Sequence, residues 1–409
     1  VSLAHAPQPK PAPPDAGPTR DAELVGALSK WFHAGHRLLP WRTTPRNPYH
    51  ALVAEAMLQQ TQVARVEAYF NRFIARFPTV GALASAGEDD VLALWSGLGY
   101  YRRAKSLHAA ARAIVQQYGG LVPADVTALQ ALPGVGRYTA GAISSIAFGQ
   151  PAPIVDGNVA RVLLRLDGQA SLTSPAQIAR WAWLRAEALV LECAKADADA
   201  SGTPTPGPSS ASRPKPSTVA LFNEGLMELG ATVCLPAPAQ PACLLCPLRD
   251  LCVARAQGLQ ATIPPPKPSK ATPTITAVCV VIADGHGRLL LEQRPQHAPV
   301  TGAMWAGLWQ CPTLEFDGRL SKAKALAHAR ELAQLRGAEP LSVAPAGTFT
   351  HQTTHRLLAF HVLAAHAAHC TRKGVGRRWT MPVDLHELGV SSAAKRAIEL
   401  GLARIGLNR

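Results

Sequence analysis

Residues 129–149 read LQALPGVGRYTAGAISSIAFG: a short apolar-periodic run, the tight string Leu132-Pro133-Gly134-Val135-Gly136, and a second helical run. This pattern predicts two helices joined by a hairpin. Gly134 and Gly136 offer backbone angles closed to other residues, so the amides of the turn can approach a phosphate closely. The amino-terminal dipole of the second helix adds to that attraction. A hairpin of this kind anchors a protein on the nucleic-acid backbone without reading bases; the plain alternative is an ordinary helix–helix turn.

Outward from the hairpin, residues 21 to about 193 read as successive helices with short connections. Asn47 offers an N-cap and Pro48 suits the first helical position. One helix is expected to run from there through YHALVAEAMLQQTQVARVEAYFNRFIARF to Pro78. Further helical patterns lie around 88–95, 102–117, 125–131, 137–147, 158–166 and 176–192, and again at VALFNEGLMELG. Residues 195–217, ending SGTPTPGPSSASRPKPS, are of low complexity and predict a disordered insertion within one helical domain. The first twenty residues, rich in Pro and Ala, predict a disordered tail.

The helical region closes on ATVCLPAPAQPACLLCPLRDLCVA, where eight, two and five residues separate Cys234, Cys243, Cys246 and Cys252. Thiolates at that density wrap a metal centre, and spacing alone leaves tetrahedral zinc and iron–sulfur open. Disulfides fit poorly, because 8 cysteines in 409 residues is no secreted scaffold and no apolar signal core opens the chain. The scattered Cys193, Cys279, Cys311 and Cys370 read as small buried hydrophobes.

The proline-rich residues 263–273 read as a stiff extended linker. Beyond it, ITAVCVVIADGHGRLLLEQR predicts two strands and a turn, 321–336 a helix, GTFTHQTTHRLLAFHVLAA a second strand pair, and 391–405 a closing helix. That mixture is an α+β domain over 274–409. The formal net charge of +14 favours a polyanionic partner. No stretch approaches a membrane span, and the chain is expected to be a monomeric, cytoplasmic, DNA-associated protein that is not secreted.

The strings LPWR (39–42), EAMLQQTQV (55–63), WSGLGYYRRA (95–104), LPGVGRYTAGAI (132–143), IVDGNVARV (154–162) and FNEGLMELGA (222–231) occur in one order over most of the helical region. In this the chain resembles the endonuclease III superfamily of DNA glycosylases, and within it the MutY-type adenine glycosylases. The resemblance implies a mainly α fold, with a helical helix-hairpin-helix glycosylase domain over 21–262 and an iron–sulfur cluster loop over 234–252. It also implies that the four cysteines hold a [4Fe–4S] cluster, although the Cys234–Cys243 interval is longer than the family's usual one. The α+β region then resembles the family's Nudix-like domain, which recognises 8-oxoguanine on the opposite strand.

Cleaving the N-glycosidic bond of deoxyadenosine requires protonation of a poor leaving group and stabilisation of an oxocarbenium-like sugar, work suited to two carboxyl groups. Glu55, among Ala54, Ala56, Met57 and Leu58, is the candidate acid, since apolar surroundings raise a carboxyl pKa. Asp156, in Val155-Asp156-Gly157-Asn158, is the candidate partner. Without the resemblance, Glu55 would read as an exposed helix residue and Asp156 as a helix cap. The resemblance implies that Tyr138 stands where bifunctional relatives carry a Schiff-base lysine, so the chain is expected to be monofunctional. It also implies that Asn158 orients Asp156, that Arg42, Trp41 and Glu224 contact the extruded adenine, and that Gln60 and Tyr100 wedge into the duplex. Phe349, Thr350 and His351 would contact the oxidised guanine. Arg330-Glu331-Leu332 faintly echoes a Nudix box, but Gln334 and Leu335 stand where a hydrolase needs metal-binding glutamates. The expected partner is double-stranded DNA containing A:8-oxoguanine or A:G mispairs. The alternatives are an endonuclease III-like glycosylase/lyase and a non-catalytic iron–sulfur DNA-binding protein.

Overall fold

The computed structural model describes residues 18–200, 216–265, 272–339, 342–367 and 376–407. Its helices are α1 (Pro18–Gly35), α2 (Pro48–Leu58), α3 (Val63–Arg76), α4 (Val80–Ser85), α5 (Glu88–Trp95), α6 (Arg102–Tyr118), α7 (Val126–Gln130), α8 (Arg137–Phe148), α9 (Gly157–Leu166), α10 (Pro175–Ala200), α11 (Thr218–Thr232) and α12 (Val253–Ala256). By its internal contacts the chain divides into two compact units, Val1–Ala56 with Ala113–Pro268 and Met57–Arg112 with Ser269–Arg409; the division falls inside α2 and α6.

In the first unit the apolar faces of α1, α9, α10 and α11 close on one core, with Leu24, Leu28, Val162, Trp181, Leu189, Phe222 and Leu229 buried. A fully buried Arg185 on α10 ties this core together. It donates to Asp21 on α1 at 2.6 Å and to Asp167 after α9 at 2.6 Å. Arg20 adds a 2.9 Å bond to Asp167 and bonds to the carbonyls of Leu166 and Leu251. The expected tail therefore gives way earlier than the composition suggests, because α1 starts at Pro18 and Arg20 is anchored.

The expected insertion also yields at both ends. α10 continues to Ala200, and the Asp197 carboxylate accepts from the Thr218 amide at 2.9 Å, capping the start of α11. Residues 201–215 of that expectation lie outside the described residues. The linker is likewise described only at its ends. Ile263 is buried and its carbonyl accepts from Arg165, while the Pro273 carbonyl accepts from the Leu357 amide.

Asn47 and Pro48 start α2 as expected, with the Asn47 side chain accepting from the amides of Tyr49 and His50. The single helix expected to reach Pro78 is instead two, broken between Leu58 and Val63. A continuous helix would direct the carbonyls of Met57 and Gln59 to amides one turn later. Here both accept from the Arg103 guanidinium, and Gln60 adopts a left-handed conformation at φ 57°.

The sheet of the second unit comprises β1 (Thr274–Ala283), β2 (Leu289–Gln293), β3 (Trp309–Gln310), β4 (Thr313–Asp317), β5 (Ala344–Gln352), β6 (Leu357–His366) and β7 (Arg377–Thr380). The strand order is β3-β2-β1-β6-β5, with β4 also paired to β1 and β7 to β2. β1 and β6 run parallel, whereas β1–β2 and β5–β6 are antiparallel. Two further helices follow in chain order, α13 (Lys322–Leu335) and α14 (Ser392–Ile405). Alternation along β1 sends Ala277, Cys279 and Val281 into the core shared with Ala397 and Ile398 of α14. Val278, Val280 and Ile282 go to the opposite core, with Ala329 and Leu332 of α13. A strand buried on both faces reads as a continuous apolar run, as AVCVVIA (277–283) does. Cys193, Cys279 and Cys311 are buried as expected; Cys370 lies outside the described residues.

Candidate active site

Glu55 occupies the inner face of α2 and is only 7% exposed. Burial, reinforced by the nearby Asp156 charge, pushes its carboxyl up to about 7. The Tyr138 hydroxyl, in hydrogen-bonding reach on α8, and the Arg42 guanidinium work against that rise, and Glu224 adds to it. Tyr138 itself is raised well above the ordinary phenol value, first by burial and then by the charges of Glu55 and Asp156. Its hydroxyl also lies 3.7 Å from the Met227 sulfur.

Asp156 is the N-cap of α9. Its Oδ1 accepts from the amides of Asn158 and Val159 at 2.9 and 2.7 Å, and its Oδ2 from the Asn158 side-chain amide at 3.3 Å. The helix-cap reading and the catalytic reading are thus compatible, because the cap holds the carboxylate in one place. Asn158 is held in turn by Arg161, whose Nη2 donates to its Oδ1 at 2.9 Å and to the Gly230 carbonyl at 2.7 Å. The same guanidinium reaches the Cys234 carbonyl at 2.9 Å.

Glu224 and Glu228, one turn apart on α11, form an ion-pair ladder with Arg37, Arg42 and Arg46. Arg42 bridges both carboxylates, to Glu224 at 3.1 Å and to Glu228 at 2.9 Å, while Arg46 holds Glu224 at 2.8 Å and Arg37 holds Glu228 at 2.6 Å. Burial alone would raise Glu228, but Arg37 and Arg42 outweigh it and hold the group below the usual carboxylate range. Arg37, Arg46, Glu228 and Arg161 were not among the residues singled out from sequence. The Glu-x3-Glu spacing on α11 and the cluster of three arginines over 37–46 are each visible in the sequence, but nothing local pairs them across 178 to 191 residues. Trp41 is half-buried in the turn before α2.

In the hairpin, Gly134 takes φ 77° and uses the freedom only glycine has. Gly136 does not. It is the N-cap of α8 at φ −87° and ψ 177°, an extended conformation any residue adopts, so the expectation that both glycines are conformationally required is corrected to Gly134 alone.

The four cysteine side chains line one cavity with Arg165 and Leu229. Burial first, and then the charges of the other three thiols, push Cys246 up to about 11; burial first, and then the charges of Cys234 and Cys243, raise Cys252. Arg165 donates to the Cys234 sulfur at 3.3 Å and to the Leu235 carbonyl at 2.8 Å. The Cys246 and Cys252 thiols thus hold their protons more tightly than a free cysteine does. Among the described residues no three His, Cys, Asp or Glu side chains converge tightly enough to hold a single ion.

In the second unit, Gln60 and Tyr100 are both exposed and both left-handed, at φ 57° and 50°. The Tyr100 hydroxyl meets that of Thr354 in the β5–β6 turn. Phe349, expected at a guanine contact, is instead 7% exposed and stacked on Phe360 at 4.6 Å, because strand alternation turns it into the α14 core. Thr350 is exposed on the other face, and His351 lies 5.7 Å from the Trp305 ring. Among the described residues no helix is long and apolar enough to cross a membrane.

Comparison with known proteins finds the HhH-GPD superfamily of base excision DNA repair proteins over residues 53–187 and a NUDIX domain over 277–400. The chain is 33% identical to the adenine DNA glycosylase of Homo sapiens over 92% of its own length and 73% of that protein. It is 34% identical to the adenine DNA glycosylase of Rattus norvegicus, over 91% and 77%. To the adenine DNA glycosylase of Mycobacterium tuberculosis it is 37% identical, over 77% and 92%.

Proposed function

Because this chain belongs to the adenine DNA glycosylase family and is a DNA N-glycosylase, we propose that it hydrolyses the N-glycosidic bond of adenine mispaired with 8-oxoguanine or guanine, without strand cleavage. The observation that carries this reading is the placement of a buried carboxyl of pKa about 7 beside a second carboxyl fixed at a helix N-cap. Glu55 donates its proton to adenine N7, the C1′–N9 bond breaks with its electron pair leaving on adenine, and the cationic sugar is stabilised by Asp156. A water then adds to C1′, and the Glu55 carboxylate accepts its proton, restoring the acid and leaving an abasic site. Asn158 orients Asp156. Arg42, Glu224 and Trp41 bind the extruded base, with Arg37, Arg46 and Glu228 fixing the first two.

Tyr138 has no amine, so no Schiff base forms. Gln60 and Tyr100 enter the duplex, the hairpin at Gly134 holds the backbone, and Thr350 with His351 faces the oxidised guanine. Cys234, Cys243, Cys246 and Cys252 fit a [4Fe–4S] cluster better than zinc. The four cysteines line one cavity and would hold the cluster there as its thiolate ligands. A cluster bound there would offset the negative charge of these four side chains and tie the 234–252 loop together.

The test is adenine release from A:8-oxoguanine, A:G and A:T duplexes, with and without alkali. The expected result is release from the first two, with strand breaks only after alkali. Breaks without alkali, or equal release from A:T, would reject the reading.

A further inference from the structure

Three non-glycine residues among those described are left-handed, and two of them, Gln60 and Tyr100, lie in segments bridged by one guanidinium, that of Arg103. A guanidinium has five N–H donors, and Arg103 spends them on the two segments that carry these residues. Nη1 donates to the carbonyls of Met57 and Gln59 at 2.7 and 2.5 Å, and Nη2 to the Thr61 hydroxyl and the Gly99 carbonyl, both at 3.1 Å. Nε reaches the Tyr100 carbonyl at 3.4 Å. The group also lies over the Trp95 and Tyr100 rings, at 5.6 and 5.2 Å, and the Trp95 indole donates to the Gly99 carbonyl as well. L residues populate the left-handed region only when their surroundings hold them there.

We propose that Arg103 is a positioning residue that clamps the 57–61 and 99–100 turns in the shape that presents Gln60 and Tyr100 to DNA, and so sets how readily adenine is extruded. This rests on the proposed function, in which those two side chains enter the duplex. A planar fork can bridge four carbonyls on two turns; an ammonium of equal charge cannot. Because its donors are already engaged, Arg103 is not the phosphate contact that the exposed Arg102 beside it is free to be.

The experiment uses full-length R103K and R103Q, each also combined with E55Q, and duplexes carrying 2-aminopurine in place of the target adenine opposite 8-oxoguanine. The expected result is that the fluorescence rise on binding, seen with E55Q alone, is largely lost in both combinations. Single-turnover adenine release by R103K and R103Q should fall at least tenfold on a fully stacked duplex and recover most of that loss when an abasic analogue flanks the adenine. The salt dependence of binding should stay that of wild type. An unchanged fluorescence rise, an equal rate defect on both duplexes, or a salt slope shallower by about one overturns the proposal. If R103K and R103Q do not fold, Thr61→Val, which removes one arm of the clamp, must show the same context-dependent defect or the proposal fails. Absence of adenine release by wild type would instead sink the proposed function.

Discussion

Glu55 and Asp156 share one electrostatic environment: the Asp156 charge is, after burial, the largest cause of the rise that brings the Glu55 carboxyl to about 7. A carboxyl poised there is a competent acid near neutrality, whereas an exposed glutamate would already have lost its proton. The neighbour that raises it is the same group proposed to stabilise the sugar cation, so the two roles reinforce each other.

Glu55→Gln is therefore expected to bind lesion duplex normally and to lose adenine release by roughly 100- to 10,000-fold, the usual range for a general acid. In the wild type the single-turnover rate should hold on the acid side of pH 7 and fall about tenfold per unit above it. Single-turnover excision between pH 5 and 9 measures this; a rate flat across pH 6–9, or near-normal release by the variant, removes Glu55 from the role.

The same group makes a stability statement. Its carboxyl moves from 4.5 to about 7 on folding, so the folded state holds the proton more tightly than the unfolded chain between those values. Its contribution is intact below pH 4.5 and is lost as pH rises through 7. Glu55→Gln should accordingly be more stable than wild type by roughly 3 kcal/mol at pH 8.5, at about 1.4 kcal/mol per unit, and no more stable at pH 4. Urea unfolding at the two pH values decides it, and a pH-independent difference would refute burial of the charge as the cause.

Gly230 on α11 faces Asn158, and a Cβ there would lie 2.9 Å from the Asn158 Cβ and 3.3 Å from its backbone. Gly230→Ala must displace the residue that holds Oδ2 of Asp156, and with it the cap geometry. The expected effect is a 10- to 100-fold fall, on the order seen for small misplacements of reacting groups, with duplex affinity preserved. Measuring Kd and single-turnover rate separately tests this; equal losses in both would point to global damage.

Much of this was legible in the sequence, and the exceptions share a cause. Glu55, Asp156 and Asn158 lie in strings whose local pattern gives a helix or a cap, but the burial of Glu55 follows from segments far away in sequence, and only the family resemblance pointed to it. The break between α2 and α3 could not be read locally, because its cause is Arg103, more than forty residues downstream, taking carbonyls that a helix would use. The ladder of Arg37, Arg42 and Arg46 against Glu224 and Glu228 likewise joins segments separated by 178 to 191 residues. Phe349 and Thr350 look alike as parts of one tripeptide, but a strand sends successive side chains to opposite faces, and Phe349 takes the buried one. The short β3, β4 and β7 and the one-turn α4 carry too few residues to show a period.

Asp21 and Asp167 hold an arginine that is 1% exposed, so the first unit contains a buried charge whose stability depends on both partners. Burial would lower the Arg185 pKa, but the bonds from Asp21 and Asp167 outweigh it and the group is raised. Removing one partner of such a network leaves charge that the interior cannot solvate, which typically costs about 3–5 kcal/mol. Asp21→Ala is placed at the lower end, about 3 kcal/mol, because Asp167 still accepts from Nε. Asp21→Asn keeps the shape and one acceptor and should cost less than Asp21→Ala while exceeding a surface substitution. Urea midpoints at pH 7 with unchanged slopes measure both; a loss under about 1 kcal/mol for the alanine variant would show that water, and not Asp21, satisfies Arg185.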